Sequence, residues 1–298
     1  MLRECLLYLT SPCPLFPRYV RSFYLKGLIG ITSRYHRQRQ AWRPHLQASQ
    51  QAIKSFIEQN SIAPRGTVII LGSGPLLDVP LGFLNKHFKR VYLIDIVHLI
   101  STRIKCLFYP HAKMRSLNLV GAELDFITQL AGPQKCSLAN HPALKDNSTW
   151  IQELTALPLP DLPPADCIIS LNLLSQLAIF PYLRLEEILQ NLRCPQNTRL
   201  QRLTALCNVI NGRHLKLLRS YPQALLISEI TQQHFKEKAS YIQRTDETIL
   251  SAELLAQLSP WGPNWDWHLA PYGEIDRQVE IISKVGAFTL SSPPIRRP

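Results

Sequence analysis

Gly72-Ser73-Gly74 stands between a short apolar run and the start of a helical pattern. Glycines there permit a tight turn and let backbone approach a bound molecule closely. Asp78 follows four residues after Gly74, and Asp95 lies 23 residues after Gly72. A carboxylate at the position of Asp95, closing a second apolar run, can accept hydrogen bonds from both hydroxyls of a ribose. Its plain alternative is a turn aspartate. Two ligand classes compete for such a turn. A dinucleotide wants a third glycine at position 77, where this chain has Leu77, and sets its pyrophosphate at the helix N-terminus. Asp78 would repel that phosphate. A ligand carrying cations and no phosphate would gain from the same acid, and S-adenosylmethionine, with an amino and a sulfonium group, is of that kind. Asp78 also has a local use, as cap or charge partner of the helix start.

Further along, the amide oxygen of Asn118 can take a hydrogen bond from an adenine amino group while the backbone N–H of Leu119 meets a ring nitrogen. A turn asparagine would look the same. Ser170-Leu-Asn172-Leu-Leu-Ser175-Gln176 interleaves polar side chains with leucines as the chain leaves another apolar run. The carboxyl edge of a parallel sheet is where such folds hold ligands. Asn172 either orients substrate or methyl donor there or caps a helix. Glu229 is a further edge acid. A general base is needed only if an acceptor must lose its proton. Asn172, His98 and His234 are the catalytic candidates, with His36 and His45 behind them. Arg34, Arg37 and Trp42 mix cations with an aromatic and suit an acceptor bearing phosphate or carboxylate.

These residues need a scaffold that brings them to one edge. Thr67–Leu71 is apolar and β-branched, as in a strand buried on both faces. Arg90–Asp95, Met114–Asn118, Ala165–Ser170 and Gln223–Glu229 read as further strands. Helical patterns fall between them at Pro80–Phe88, Val97–Phe108, Leu183–Asn191 and Gln201–Asn211. This alternation predicts a doubly wound α/β sheet. Trp265–Leu269 and Gln278–Val285 predict an antiparallel pair that closes it. Residues 1–66 read as a helical extension, punctuated by Pro12, Pro14 and Pro17. One helix covers Tyr19–Ile31 and a second runs from Pro44 to Gln59, ended by Ala63-Pro64-Arg65-Gly66. Residues 67–298 then form the α/β domain. Thr231–Pro263, rich in polar and aromatic residues, falls where a substrate-shaping lid would go.

Val68-Ile-Ile-Leu-Gly-Ser-Gly-Pro-Leu-Leu-Asp78, Tyr92-Leu-Ile-Asp95, the strand ending at Asn118 and Asp166-Cys-Ile-Ile-Ser-Leu-Asn172 together resemble a class I S-adenosylmethionine-dependent methyltransferase, over residues 60–290. The resemblance implies a Rossmann-like, mostly parallel sheet of seven strands. It implies a methionine moiety over Gly72, Ser73 and Gly74, ribose on Asp95, and adenine near Ile96, Asn118 and Leu119, with Asp78, Ser170 and Asn172 completing the cofactor site. Three positions differ from the family pattern. Ile70 stands where an acid often precedes the first glycine, Leu76 replaces the third loop glycine, and Asn118 replaces an adenine-side acid. The chain lacks the Asn/Asp-Pro-Pro-Tyr/Phe motif of nucleobase amino methylation. It looks like an uncharacterised bacterial branch.

Composition narrows the classes. Of 298 residues, 46% are hydrophobic and 18% charged, enough to bury a large core and too apolar for a disordered chain. Seven scattered cysteines without a CxxC pair argue against a disulfide framework or a zinc site and for a reduced, cytoplasmic protein. No metal is expected. No run is long enough for a spanning helix. The net charge is +12. Residues 1–50 carry eight Arg or Lys against Glu4 alone, hence +7. Such asymmetry makes a nucleic acid or an anionic membrane surface conceivable partners of this segment. The favoured expectation is instead a helical lid at the carboxyl edge, with a small or medium anionic acceptor beneath it. Methyl transfer is the expected activity. A non-catalytic binding or scaffold protein and an NAD(P)-dependent oxidoreductase are the alternatives, the latter opposed by Leu77, Asp78 and the lack of a Tyr-x-x-x-Lys pair.

Overall fold

The computed structural model describes residues 4, 7–8, 11, 18–60, 62, 65–130, 147–238 and 241–290. The Pro12, Pro14 and Pro17 punctuation, the Ala63-Pro64 turn, and Cys5, Cys13 and Cys136 lie outside them. In chain order the elements are α1 (Arg18–Arg37), α2 (Arg39–Gln59), β1 (Thr67–Leu71), α3 (Leu81–His87), β2 (Arg90–Asp95), α4 (Ile100–Cys106), β3 (Ala112–Ser116), α5 (Gly121–Leu130) and α6 (Asn147–Ala156). There follow β4 (Cys167–Leu171), α7 (Leu174–Leu177), α8 (Ile179–Asn191), α9 (Gln196–Arg219), β5 (Gln223–Glu237), β6 (Ile242–Thr248), α10 (Ala252–Leu255), β7 (Ser259–Pro260), β8 (Trp265–Ala270) and β9 (Val279–Thr289). Two compact units result. The first takes residues 1–117, 164–173 and 218–298 and contains the sheet; the second takes residues 118–163 and 174–217 and is helical among the described residues.

The sheet runs β3-β2-β1-β4-β5-β9-β7, with β6 paired to β5 and β8 to β9. β1 to β5 are mutually parallel; β9 turns antiparallel to β5, and β8 antiparallel to β9. Every position of β1 and β4 is buried, as their unbroken apolar runs require in a sheet covered on both faces. The expected seven strands become nine among the described residues. Two are additions: the two-residue β7, and β6, which extends an antiparallel hairpin from a β5 that runs eight residues past its expected end at Glu229. β6 is exposed at all seven positions, so no hydrophobic alternation marks it. Part of the segment expected to be a lid is therefore sheet.

Other boundaries moved for physical reasons. β3 begins two residues earlier than expected because its register is set by β2, with Val91 opposite Ala112 and Asp95 opposite Ser116. Pro44, expected to open the second helix, lies inside α2 and removes one donor from its ladder. α2 instead starts at Arg39, one bent residue, Gln38, after α1. It buries Trp42, His45, Ser49, Ile53, Phe56 and Ile57 along one face, at the spacing of an amphipathic helix. That face packs on β8 and β5. Phe56 meets Trp261 edge to face at 5.4 Å, and Trp42 meets Trp267 likewise at 5.0 Å. Each such ring withdrawn from water contributes about 1.5–3 kcal/mol. The extension is thus part of the same core as the sheet.

In the second unit, Arg213 ties α5, α6 and α9 together. Its Nε donates to Glu123 Oε1 at 2.6 Å, and its Nη atoms donate to the carbonyls of Thr155, Leu157 and Pro158 at 2.7–2.9 Å. Among the described residues no helix is long and apolar enough to cross a membrane, and no cluster of His, Cys, Asp and Glu could hold a metal.

Candidate functional site

The strand order reverses between β1 and β4. From β1 the chain winds to β2 and β3, and from β4 the opposite way to β5. The loops leaving β1 and β4 therefore diverge there, the place where open sheets of this kind bind ligands. Gly72 and Gly74 have φ of +73° and +44°, which L side chains adopt only at a cost. Gly72 is also walled in: a Cβ built on it would lie 2.7 Å from the carbonyl oxygen of Leu171 and 2.6 Å from Leu173 Cγ. Gly74 has ordinary room, with nothing closer than 3.9 Å. The loop is pinned to β2 by N–H bonds from Gly72 and Ser73 to the Ile94 carbonyl, at 2.9 and 3.3 Å.

Asp95 completes the anchor. Its Oδ2 accepts the Gly74 N–H at 2.8 Å and its Oδ1 the Ile96 N–H at 2.7 Å. Burial raises its pKa, against the pull of these backbone donors and of nearby His98. Asp78 is held by Asn172, whose Nδ2 donates to Asp78 Oδ2 at 3.3 Å. Burial pushes Asp78 up to about 6, and the negative charge of Asp95 adds to the rise. Among the described residues neither carboxylate has an ion-pair partner. Asn172 itself is left-handed, with φ +47°, and its Oδ1 is buried without a hydrogen bond, as is Ser73 Oγ. Unsatisfied buried groups of this kind are uncommon. Gly72, Ser73, Gly74, Asp78, Asp95 and Asn172 thus stand together, with Ser170 buried in β4 directly before them.

Two departures from the family pattern acquire a physical shape. Leu76, in place of the third glycine, takes φ +59° and is 1% exposed. The strain of a left-handed leucine, about 1–2 kcal/mol, is offset by burying its side chain in the core. Ile70, in place of an acid, is fully buried within β1.

Asn118 and Leu119 belong to the second unit, where Asn118 Oδ1 accepts the Val120 N–H at 3.2 Å in the turn that opens α5. His98 is 1% exposed; its Nε2 meets the Arg115 carbonyl at 3.3 Å, so that nitrogen carries the proton, and burial lowers its pKa. His234 sits on the β5–β6 hairpin, 3.5 Å from Glu247. Glu229 is a sheet residue at the β5 bulge, where Ser283 Oγ and Gln232 Nε2 each donate to its Oε2 at 2.6 Å. His45 is buried flat against Trp267 and accepts the Trp265 indole N–H at 3.0 Å; burial takes its pKa down to about 3.

The three acceptor-side candidates require correction. Trp42 is 2% exposed and donates its indole N–H to the Leu269 carbonyl at 3.1 Å; it is a core residue. Arg37 forms a two-pronged bond to Glu274, at 2.6 and 3.2 Å, and Arg34 Nε comes within 3.5 Å of the same carboxylate. Gln38 donates to Glu274 as well, at 2.9 Å. Both cations thus share one carboxylate of the chain itself.

Sequence reasoning missed what α1 does. Leu28 comes to 3.9 Å from a Cβ built on Gly74. Leu25, Leu28 and Ile29 pack with Val97 and Leu99, and Ile96 lies against that cluster. Tyr24 is close enough to Asp95 for the carboxylate to add to the rise that burial imposes on its phenol. The helical spacing of Tyr24, Leu25, Leu28 and Ile29 was visible; its destination was not.

No family model matches the chain, and no curated protein does. Solved structures of similar fold exist. The 1,6-didemethyltoxoflavin-N1-methyltransferase of Burkholderia thailandensis, with 1,6-didemethyltoxoflavin and S-adenosylhomocysteine bound, is 14% identical. It overlaps 94% of this chain and 93% of its own at a TM-score of 0.37. An N-methyltransferase of Bradyrhizobium japonicum in complex with S-adenosylhomocysteine is 11% identical, over 82% of this chain and 86% of its own, at 0.35. A precorrin-8w decarboxylase of Methanobacterium thermoautotrophicum is 9% identical, over 80% and 88%, at 0.26. The chain is similar to S-adenosylmethionine-dependent methyltransferases. At these scores the matches carry no argument by themselves, and the chemistry below is drawn from the chain's own residues.

Proposed function

We propose that the chain is an S-adenosylmethionine-dependent methyltransferase acting on a small or medium acceptor. One observation carries this: two partly buried carboxylates, Asp78 and Asp95, meet a glycine loop at the switch point without a cation to pair with. A pyrophosphate would be repelled there. An amino acid moiety with a protonated amine would supply the missing positive charge, Ser73 Oγ and Asn172 Oδ1 would gain partners, and Asp95 has lone pairs left for ribose hydroxyls. When bound, S-adenosylmethionine supplies a methyl group on a cationic sulfur for in-line displacement. The chain's task is then alignment and exclusion of water. Asp95 orients the ribose while holding Gly74, Asp78 and Asn172 fix the amino acid end, and α1 walls the loop from solvent with Leu28 and Tyr24. The acceptor's anionic character loses its support, because Arg34 and Arg37 are taken by Glu274.

The test is titration with S-adenosylhomocysteine and, separately, NAD, read by calorimetry and by melting temperature. S-adenosylhomocysteine is expected to bind and stabilise, and NAD not to. Asp95→Ala should weaken binding tenfold or more, at about 1.5–3 kcal/mol per charged hydrogen bond lost. Asp95→Asn, which keeps one acceptor oxygen, should fall between. Stabilisation by NAD alone would make the site a dinucleotide site, and none by either ligand would favour a non-catalytic protein.

Binding should also depend on pH through Asp78. Its folded pKa of about 6 lies above the ordinary 3.8, so the folded state holds this proton more tightly than the unfolded one. The group's contribution to stability is present below 3.8 and lost as pH rises through about 6. Ligand binding runs the other way, since only the ionised carboxylate attracts the amine. S-adenosylhomocysteine affinity should therefore drop between pH 7.5 and pH 5, and Asp78→Asn should flatten most of that drop. An equally steep profile in the Asn variant would assign the titration to another group.

A further inference from the structure

The edge of the sheet opposite the glycine loop has a character of its own. Residues 59–122 contain eight Arg or Lys and two acids, Asp78 and Asp95, and both acids lie at the carboxyl edge. At the amino edge, Arg65, Lys86, Lys89, Arg90 and Lys113 are exposed, and none of these cations has an ion-pair partner among the described residues. Between them project Ile104, Leu107 and Phe108, which are 53%, 80% and 77% exposed. Backbone bonds hold these segments to one edge. Arg65 N–H donates to His87 O at 2.8 Å, Lys89 N–H to Gly66 O at 3.0 Å, and Val91 N–H to His111 O at 2.9 Å. Asn85 Oδ1 accepts the His111 N–H at 3.0 Å, which fixes the loop that carries Leu107 and Phe108. The acid at the neighbouring strand end, Asp166, has its Oδ2 on the Thr67 N–H at 2.7 Å.

We infer that this amino edge is a docking surface for an anionic lipid bilayer. Three large apolar side chains raised into water are a standing cost that a partner relieves. A ring of unpaired cations around them, with Asp166 turned onto the Thr67 N–H, matches a negatively charged headgroup layer, while aliphatic Leu107 and Ile104 suit the acyl boundary beneath it. Stable attachment without a spanning helix takes two signals, apolar insertion and basic charge, and this edge has both. The basic N-terminal segment, which its composition alone would nominate, has Arg34 and Arg37 already paired. This inference does not depend on the methyltransferase reading, because its observations lie at the other end of the strands.

The experiment is flotation of the full chain with vesicles of phosphatidylcholine, alone and with phosphatidylglycerol added. Binding is expected only to the anionic vesicles and should fall as salt rises. Each surface cation strengthens such attachment by about fivefold, so Lys89→Glu with Arg90→Glu should cut it well over tenfold. Leu107→Ser with Phe108→Ser should cut it at least tenfold. Both pairs are exposed, so circular dichroism should report intact folds. Arg39→Glu with Arg43→Glu, exposed on α2, should bind as the wild type does. The inference is overturned if anionic vesicles are not bound, if only the α2 variant loses binding, or if an RNA oligonucleotide is bound in their place and the Leu107/Phe108 variant binds it unchanged.

Discussion

Gly72→Ala will destabilise the fold by about 2–5 kcal/mol, well beyond what the neighbouring Gly74→Ala costs. The two glycines share a left-handed φ, so each alanine carries about 1–2 kcal/mol of backbone strain. Only at Gly72 does the new methyl also meet the fixed carbonyl of Leu171 at 2.7 Å. Overpacking of that kind adds about 1–3 kcal/mol, because the obstacle is the end of a central strand and cannot swing aside. Thermal unfolding of both variants separates the causes. Equal losses would mean that φ alone makes these positions glycine. A Gly72 variant that folds should also lose cofactor affinity, since relief of the clash moves the loop that Asp95 and Gly74 hold together.

Arg213→Ala should be comparably severe, at about 3–5 kcal/mol, and its effect should fall on the helical unit. The side chains of Arg213 and Glu123 are 5% and 4% exposed, so removing the cation leaves a buried carboxylate without its partner and three carbonyls without a donor. Breaking a buried pair from one side is costly; replacing both partners with apolar groups of similar size often is not. Arg213→Met combined with Glu123→Leu should therefore recover a large part of the loss in denaturant unfolding. Arg213→Lys should recover little, because a single ammonium cannot reproduce the guanidinium fork. If the double variant is as unstable as Arg213→Ala, the carbonyl contacts rather than the ion pair dominate.

β1 and β2 could be read to the residue because each is a closed apolar run bounded by turn residues. The glycine loop, Asp78 and Asp95 followed from where those runs end. What stayed hidden was of three kinds. β6 has no apolar face; it exists because β5 offers it a ladder, and pairing partners are not written in local pattern. Pro44 signals a helix start wherever first-turn rules apply, yet tertiary packing of Trp42 and His45 draws the helix back past it. Arg34 and Arg37 looked available because Glu274, which binds them, lies 237 residues beyond Arg37. Separation in sequence also concealed α1, whose apolar residues were recognisable while their seat beside Gly74 was not.

The brevity of the central strands sets a height. β1 and β4 have five residues each and β2 six, and a strand rises about 3.3 Å per residue. The glycine loop is therefore separated from the cationic edge by about 17–20 Å. With that edge seated on a bilayer, the proposed methyl-transfer site would stand about two Debye lengths above the headgroups at physiological salt, where their potential has largely decayed. An acceptor buried in the leaflet could not reach it. Whatever is methylated would arrive from the water side, and the membrane would serve to station the enzyme rather than to feed it.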